Sequence, residues 1–368
     1  MPRTQVNPVR GWCGPVLAAV LASCGGGQED LGLPTGLARV PGSTVLAASG
    51  LGGDQEAALM SLADAWGMAG GTTLGEPGIA WVHAEGMEVG WVDLSASPNF
   101  RSAWAARPTA GGQPGWLFVD LQLAVDRVLA AAPDGPLRAM VEPLGLGSLE
   151  WAVFVFPVPL DDARGFDGRV RVGDDPVSLA RALGGRAGPS LLGGAVQDAV
   201  VQVEMRCDAA IVGRMLDAGT APDALGAGLA SRSALVGLAG QLGRTFVREV
   251  DGTASLAVFA DESVCMAIGV REPDDVRDLL DRYFTPSAAD TWDGPSGVTL
   301  SVVGQVLRVA TRTWPQASAV EAPSFGPGIH VMGVLDGAVA GFGPGAGLRL
   351  EIVPLDAGTL AVSSRALD

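Results

Sequence analysis

The sequence predicts an α+β fold: a mostly antiparallel sheet with helices packed on one face, built from repeated strand–helix–hairpin–helix modules. Three observations lead there. Neighbouring apolar runs are parted by short polar turns, as Ile79–Ala84 and Met87–Leu94 are by Glu85-Gly86, so hairpins outnumber strand–helix–strand crossovers. Ser, Asp or Glu followed by Pro recurs as a helix start after such hairpins. Apolar residues make up 48% of the chain, enough for packed cores over 368 residues.

The elements follow in order. Thr44–Ala48 reads as a short strand, and Asp54 caps a helix to about Trp66 with Leu59, Leu62 and Trp66 on one side. The hairpin Ile79–Leu94 precedes Ser97-Pro98, an N-cap with proline at the first helical position, and a helix to about Ala106. The same order recurs. Trp116–Val119 is a strand, Asp120 or Leu121 opens a helix to about Ala132, and Leu137–Val141 adds a short helical turn. Leu149–Phe156 and Arg169–Val172 are strands around the polar loop Asp161–Gly168, and Asp175-Pro176 starts a helix to about Leu183. A third pass begins at Val200. There Val201, Val203, Met205 and Cys207 alternate with Gln202, Glu204 and Arg206, the pattern of a half-buried strand. Asp208 caps a helix to about Ala218, and a Gly/Ala-rich helix spans Pro222–Leu242. Ser255–Ala260 and Val264–Val270 form a hairpin. Glu272-Pro273 then opens a helix with Val276, Leu279, Leu280, Tyr283 and Phe284 on one stripe, and Asp274 and Asp275 in its first turn suit the helix dipole.

Three modules result, about 44–106, 116–183 and 199–284. Local echoes support duplication: Val125-x-Arg127-x-Leu129-x-Ala131 matches Val212-x-Arg214-x-Leu216-x-Ala218, and Ala152-Val153-Phe154 matches Ala257-Val258-Phe259. The remainder is mainly strand: Val298–Val303, Val306–Arg312, Ile329–Val334, Leu348–Val353 and Thr359–Ser363. The expected organisation is a leader (1–23), a tether (24–42), a first α+β region (43–190), a second (191–297) and a mainly β C-terminal region (298–368).

The first residues carry the most specific motif. Met1–Arg10 is polar with Arg3 and Arg10 and no acid, Gly11–Leu21 is apolar, and small residues precede Cys24. The apolar run is far shorter than the roughly 20 residues a membrane-spanning helix needs. Leu21-Ala22-Ser23-Cys24 resembles the lipobox of bacterial lipoproteins. That resemblance implies cleavage before Cys24, a diacylglycerol on its thiol and acylation of the new amino terminus. The partner would then be a membrane, held through lipid on Cys24; each buried CH₂ contributes roughly 0.8 kcal/mol, so several chains anchor stably. Gly25-Gly26-Gly27 reads as a flexible tether. Gly25 stands where, in enteric members of the family, an Asp retains the protein in the inner membrane. The resemblance therefore implies a cell-envelope protein facing the periplasm or the cell surface, with the outer membrane favoured.

Charge narrows the partners. The chain has a formal net charge of −16, and all 24 basic residues are arginine. Loss of residues 1–23 removes two arginines and no acid, leaving −18. Such a surface repels phosphate backbones, which argues against nucleic acid. The lack of lysine excludes a Gly-Lys phosphate loop, Ser-x-x-Lys and any Schiff base. With only His83 and His330, no multi-histidine zinc site can form within one chain. The glycines of 341–347 do not fit a dinucleotide fingerprint. Asp161, Asp162, Asp167, Asp174 and Asp175 match no EF-hand and read as a solvated turn. No catalytic residue, metal or cofactor is expected.

Two features remain. Cys207 and Cys265 are the cysteines beyond Cys24 in the exported chain, and an oxidising compartment could join them. The alternative is a pair of buried free thiols. Six of the nine tryptophans lie between Trp66 and Trp151. Trp66, Trp81, Trp91 and Trp116 read either as an aromatic wall for an apolar ligand or as core filling where the chain is otherwise Ala- and Gly-rich. The expected function is a non-catalytic binding or structural role on an envelope protein or component. The alternatives are a carrier for a lipid or other apolar ligand and, third, an enzyme of unknown class. The body also resembles uncharacterised families of exported proteins of GC-rich bacteria, to which no activity is assigned.

Overall fold

The structure is a computed structural model that describes residues 40–41, 43–50, 53–65, 68–72, 79–84, 91–109, 115–131, 146–156, 165–173, 178–192, 199–211, 248–314, 323–334 and 347–367. Its first half runs β1 (Val40–Pro41), β2 (Thr44–Ser49), α1 (Gly53–Ala65), β3 (Met68–Thr72), β4 (Ile79–Ala84), β5 (Trp91–Val92), α2 (Pro98–Ala106), β6 (Gly115–Asp120), α3 (Leu121–Ala131), β7 (Trp151–Phe156), β8 (Phe166–Arg171), α4 (Leu179–Ala182) and β9 (Gly188–Pro189). Its second half runs β10 (Ala199–Arg206), β11 (Val250–Phe259), β12 (Val264–Val270), α5 (Pro273–Tyr283), β13 (Thr285–Ala288), β14 (Thr291–Asp293), β15 (Thr299–Val303), β16 (Val306–Ala310), β17 (Ser324–Phe325), β18 (Gly328–Val334), β19 (Gly347–Pro354) and β20 (Thr359–Leu367).

Sixteen strands form one antiparallel sheet in the order β13-β14-β15-β16-β12-β11-β10-β18-β19-β20-β8-β7-β6-β2-β4-β3. The α+β expectation is therefore corrected: a very large antiparallel sheet dominates, and helices are few. Nor do the helices keep to one face. The physical reason lies in β2 and β7, whose six residues are all buried, so both faces of that half must be covered. On one face, α2 brings Phe100 and Ala103 against Ala47, Trp116, Phe118, Val153 and Val155. On the other, α1 with Leu59 and Ala63, and α3 with Leu121 and Leu123, cover Leu46, Leu117, Ala152 and Phe154. In the second half, α5 lays Val276, Leu279 and Leu280 against Leu300, Val302, Leu307 and Val309.

The local chemistry of these elements is plain. Ser97 accepts a bond from the Phe100 N–H at 3.3 Å, and Pro98 follows it at the first helical position of α2. Asp120 accepts from the Leu123 N–H at 3.0 Å at the start of α3. α5 opens at Pro273 after Glu272, with Asp274 and Asp275 in its first turn. Its expected stripe is corrected at one place: Tyr283 is 53% exposed, while Phe284 is buried. α4 starts after Ser178, whose hydroxyl accepts from the Arg181 N–H, rather than at Asp175-Pro176. Trp91–Val92 pairs with β1, not with β4. The helical expectations at Leu137–Val141, beyond Ile211 and over Pro222–Leu242 lie outside the described residues.

The topology joins two halves through the C-terminus. β6, β7 and β8 form one three-strand meander, β10, β11 and β12 a second, and β18, β19 and β20 a third. The third slots between the other two: β18 pairs with β10, and β20 with β8. The first expected module departs from this pattern, since its strands lie in the order β2-β4-β3.

Candidate functional site

The join between β10 and β18 holds the most concentrated buried chemistry among the described residues. Alternation along β10 sends Gln202, Glu204 and Arg206 to one face. Register then sets Glu204 opposite Ser255 of β11 on one side and His330 of β18 on the other, with His330 opposite Glu351 of β19. Ser255, Glu204, His330 and Glu351 thus form one line across four strands.

Glu204 is 0% and Arg206 1% exposed. Burying a carboxylate costs heavily unless donors replace water. Four side chains do so here. The hydroxyls of Ser190 and Ser255 each donate to Glu204 at 2.5 Å, one to each carboxylate oxygen. Gln202 Nε2 donates at 2.8 Å and Arg206 NH2 at 3.4 Å. Arg206 is held more closely by backbone: NH2 donates to the Pro189 carbonyl at 2.6 Å and NH1 to the Met205 carbonyl at 3.0 Å. The serine oxygens in turn accept backbone N–H groups, Ser255 from Leu191 at 3.0 Å and Ser190 from Leu192 at 3.3 Å. The residues 188–192 are thereby strapped down over the sheet face.

A second strap crosses the same face. β17 pairs with β9, and the Phe325 ring lies tilted against the His330 ring at 5.3 Å. His330 is buried. Its Nδ1 lies 3.2 Å from Glu351 Oε1 and its Nε2 3.2 Å from the Gly326 carbonyl. Both ring nitrogens thus face oxygen atoms. Arg349 NH2 donates to the same Glu351 oxygen at 2.6 Å. Burial pushes the Glu351 carboxyl up, but the bonds from Arg349 and His330 outweigh it and hold the carboxyl below its ordinary range.

This constellation fastens both straps to the sheet face. Both serine hydroxyls point their protons at Glu204, and His330 bonds to neither serine. Ser190, Ser255 and Glu204 are all buried, at 5%, 0% and 0% exposure.

The residues singled out from sequence are dispersed. Cys24 and Trp66 lie outside the described residues, as does the side chain of Trp91. Trp116 belongs to the aromatic cluster under α2, and Trp81 packs against that cluster. Trp116 is buried edge-on to Phe100 at 5.7 Å, and Trp104 stacks on Phe100 at 5.7 Å. Cys207 and Cys265 are free and buried, so the bridge considered from sequence is not formed. Register explains it: Cys265 sits opposite Ala257 and Ala310 on the Glu204 face, while Cys207 packs on the other face with Leu360, Ile329 and Ile352. Burial pushes the Cys207 thiol up to about 11, against the opposing charge of Arg206, and raises Cys265 as well.

His83 is half-buried, with its ring 5.3 Å from Trp81. Of the acidic loop, Asp167 pairs with Arg365 at 2.7 Å; Asp161, Asp162, Asp174 and Asp175 lie outside the described residues. Among the described residues no group of three or more His, Cys, Asp or Glu could hold a metal ion, and no helix is long and apolar enough to cross a membrane. Comparison with protein-family models, with curated proteins and with solved structures finds no match.

Proposed function

We propose that this chain is a lipid-anchored bacterial envelope lipoprotein with a non-catalytic binding or structural role. The observation that carries the reading is Leu21-Ala22-Ser23-Cys24 behind a basic and then apolar leader. A core whose polar residues are spent on fastening straps to a sheet is consistent with a holding role. The test is metabolic labelling with an alkyne fatty acid in a bacterial host. The intact chain is expected to take up label and sediment with membranes, and Cys24→Ser to lose both. Label and membrane association that persist in the Cys24→Ser chain would overturn the anchor.

A carrier for a lipid or other apolar ligand is the second reading, and one observation favours it. On the face opposite Glu204, Val201, Val203, Leu256, Val258 and Val331 are only half-buried and Met205 is 38% exposed, although all are apolar. Native mass spectrometry after incubation with envelope lipid extract separates the two readings. A lipid-mass adduct lost on denaturation supports a carrier; an unchanged mass removes that reading and leaves the first.

A further inference from the structure

Two arginines near the end of β16 lie over the aromatic rings of a single cluster. Arg308 of β16 and Arg312 just beyond it share the Glu204 face of the sheet, where Arg308 lies opposite Ala267 of β12. Each guanidinium covers an aromatic ring. The Arg308 Cζ lies 4.9 Å from the Trp314 ring centre, and the Arg312 Cζ 4.1 Å from that of Phe259. Both rings belong to one apolar cluster, with Leu191, Leu192, Ala257, Ala267 and Ala310. Stacking orients a guanidinium and leaves its in-plane N–H groups free for oxyanions.

Among the described residues Arg308 has no side-chain hydrogen bond or ion pair. Its Nε is buried with no hydrogen-bond partner, and among the described residues no carboxylate comes within ion-pair distance of it. Among the described residues Arg312 bonds the Ser263 hydroxyl alone, at 3.5 Å. The nearest acid it influences is Asp261, which is exposed and already accepts from the backbone N–H and hydroxyl of Ser263. Six other arginines of the described residues, Arg171, Arg206, Arg277, Arg349, Arg365 and, through the Trp104 carbonyl, Arg107, have acidic or carbonyl partners within 4 Å. Both guanidiniums thus lie over one apolar cluster, with no carboxylate bonded to either among the described residues.

We propose that Arg308 and Arg312 bind an oxyanion, a carboxylate or phosphate, with Trp314 and Leu191 beside it to receive an apolar body. The shared chemistry has two sources: a free oxyanion, or the head of an amphiphile. The inference does not depend on the lipid anchor.

Calorimetric titration of the purified full chain at pH 7 and constant ionic strength tests it, with inorganic phosphate, acetate and octanoate as probes. Saturable binding of phosphate or of either carboxylate is expected in the unaltered protein. Arg308→Gln is expected to weaken it at least about tenfold, the loss of one charge-assisted pair, and Arg312→Gln to weaken it less. Arg282→Gln, at the far end of α5, is the control and should bind as the parent does. Octanoate binding more tightly than acetate would identify an amphiphile, and equal affinities a free oxyanion. Absence of saturable binding to the unaltered chain overturns the site, as does parental affinity in both Arg308→Gln and Arg312→Gln. Because the parent measurement and the surface variant Arg312→Gln need no change in the buried layer, misfolding of Arg308→Gln does not remove the test.

Discussion

At Glu204 water is replaced by four side-chain donors, and the consequences can be stated one residue at a time. Replacing Arg206 by Met removes the one cation beside this carboxylate and is expected to destabilise the chain by roughly 3–5 kcal/mol. The double change Glu204→Leu with Arg206→Met removes both buried charges and is expected to cost less than the two single changes together. Urea unfolding of the three variants measures this, and simple additivity would show that the two residues do not act as a pair.

Cys207 predicts a pH dependence. Its folded thiol is raised to about 11 from an ordinary value of 9.0, so the unfolded chain releases this proton first. The stabilisation is whole below pH 9 and is lost as pH rises through 11. It amounts to roughly 2–3 kcal/mol at about 1.4 kcal/mol per unit. Cys207→Ala should flatten this part of the stability profile, even if its smaller side chain lowers the whole curve. Ser364 gives a prediction of opposite sign. It is 0% exposed and its hydroxyl has no partner, between Leu350 and Phe166 on neighbouring strands. Ser364→Ala is expected to stabilise by about 1 kcal/mol in the same urea assay.

Among the elements, those legible in the sequence carry their own punctuation. Ser97-Pro98 and Glu272-Pro273 mark α2 and α5 because caps and proline act locally. The hairpins at Asp261–Ser263 and Gly304-Gln305 were equally readable, the latter turning at Gly304 with φ +59°. What could not be read depends on which strand meets which. Met87–Leu94 looks like the partner of Ile79–Ala84, yet β5 pairs with β1 some fifty residues earlier in the chain. Gln202, Glu204 and Arg206 have the alternation of a solvent-facing strand edge, and nothing local says that residues 188–192 will cover them. The strap that does so is short, and only its contacts to Glu204 and Arg206 define it.

The second strap, in which β17 pairs with β9, has its own pH dependence. Because the folded Glu351 carboxyl is held below its ordinary range, its stabilisation is present above the usual carboxylate pKa and is lost as pH falls through the folded value. Loss of its charge would weaken its contact with His330, whose other ring nitrogen lies 3.2 Å from the Gly326 carbonyl. Hydrogen exchange should therefore show falling protection factors at Ser190 and Leu192 in acid before the sheet as a whole opens. Glu351→Gln should bring that local opening to neutral pH, and unchanged protection there would falsify the link between Glu351 and the strap.

Across the whole molecule, the last strands make one sheet out of two. β18 lies against β10 and β20 against β8, and Arg365 of β20 bonds the Phe166 carbonyl 199 residues away. Until the C-terminal meander docks, β8 and β10 are both open edges, each offering unpaired backbone groups. Contacts so distant in sequence form slowly because the loop must close before they stabilise anything. A chain ending at Asp356 lacks β20 and leaves β8 and β19 each with an open edge across the gap. It is expected to unfold in two transitions, one for the half cored by Leu46, Leu117 and Phe154 and one for the half cored by Leu280, Leu300 and Leu307. It should also self-associate through the exposed edges at micromolar concentration. Calorimetry and sedimentation measure these outcomes. A single transition at the parental midpoint would mean that each meander gains little from the seam, and that the sixteen strands are neighbours rather than one cooperative sheet.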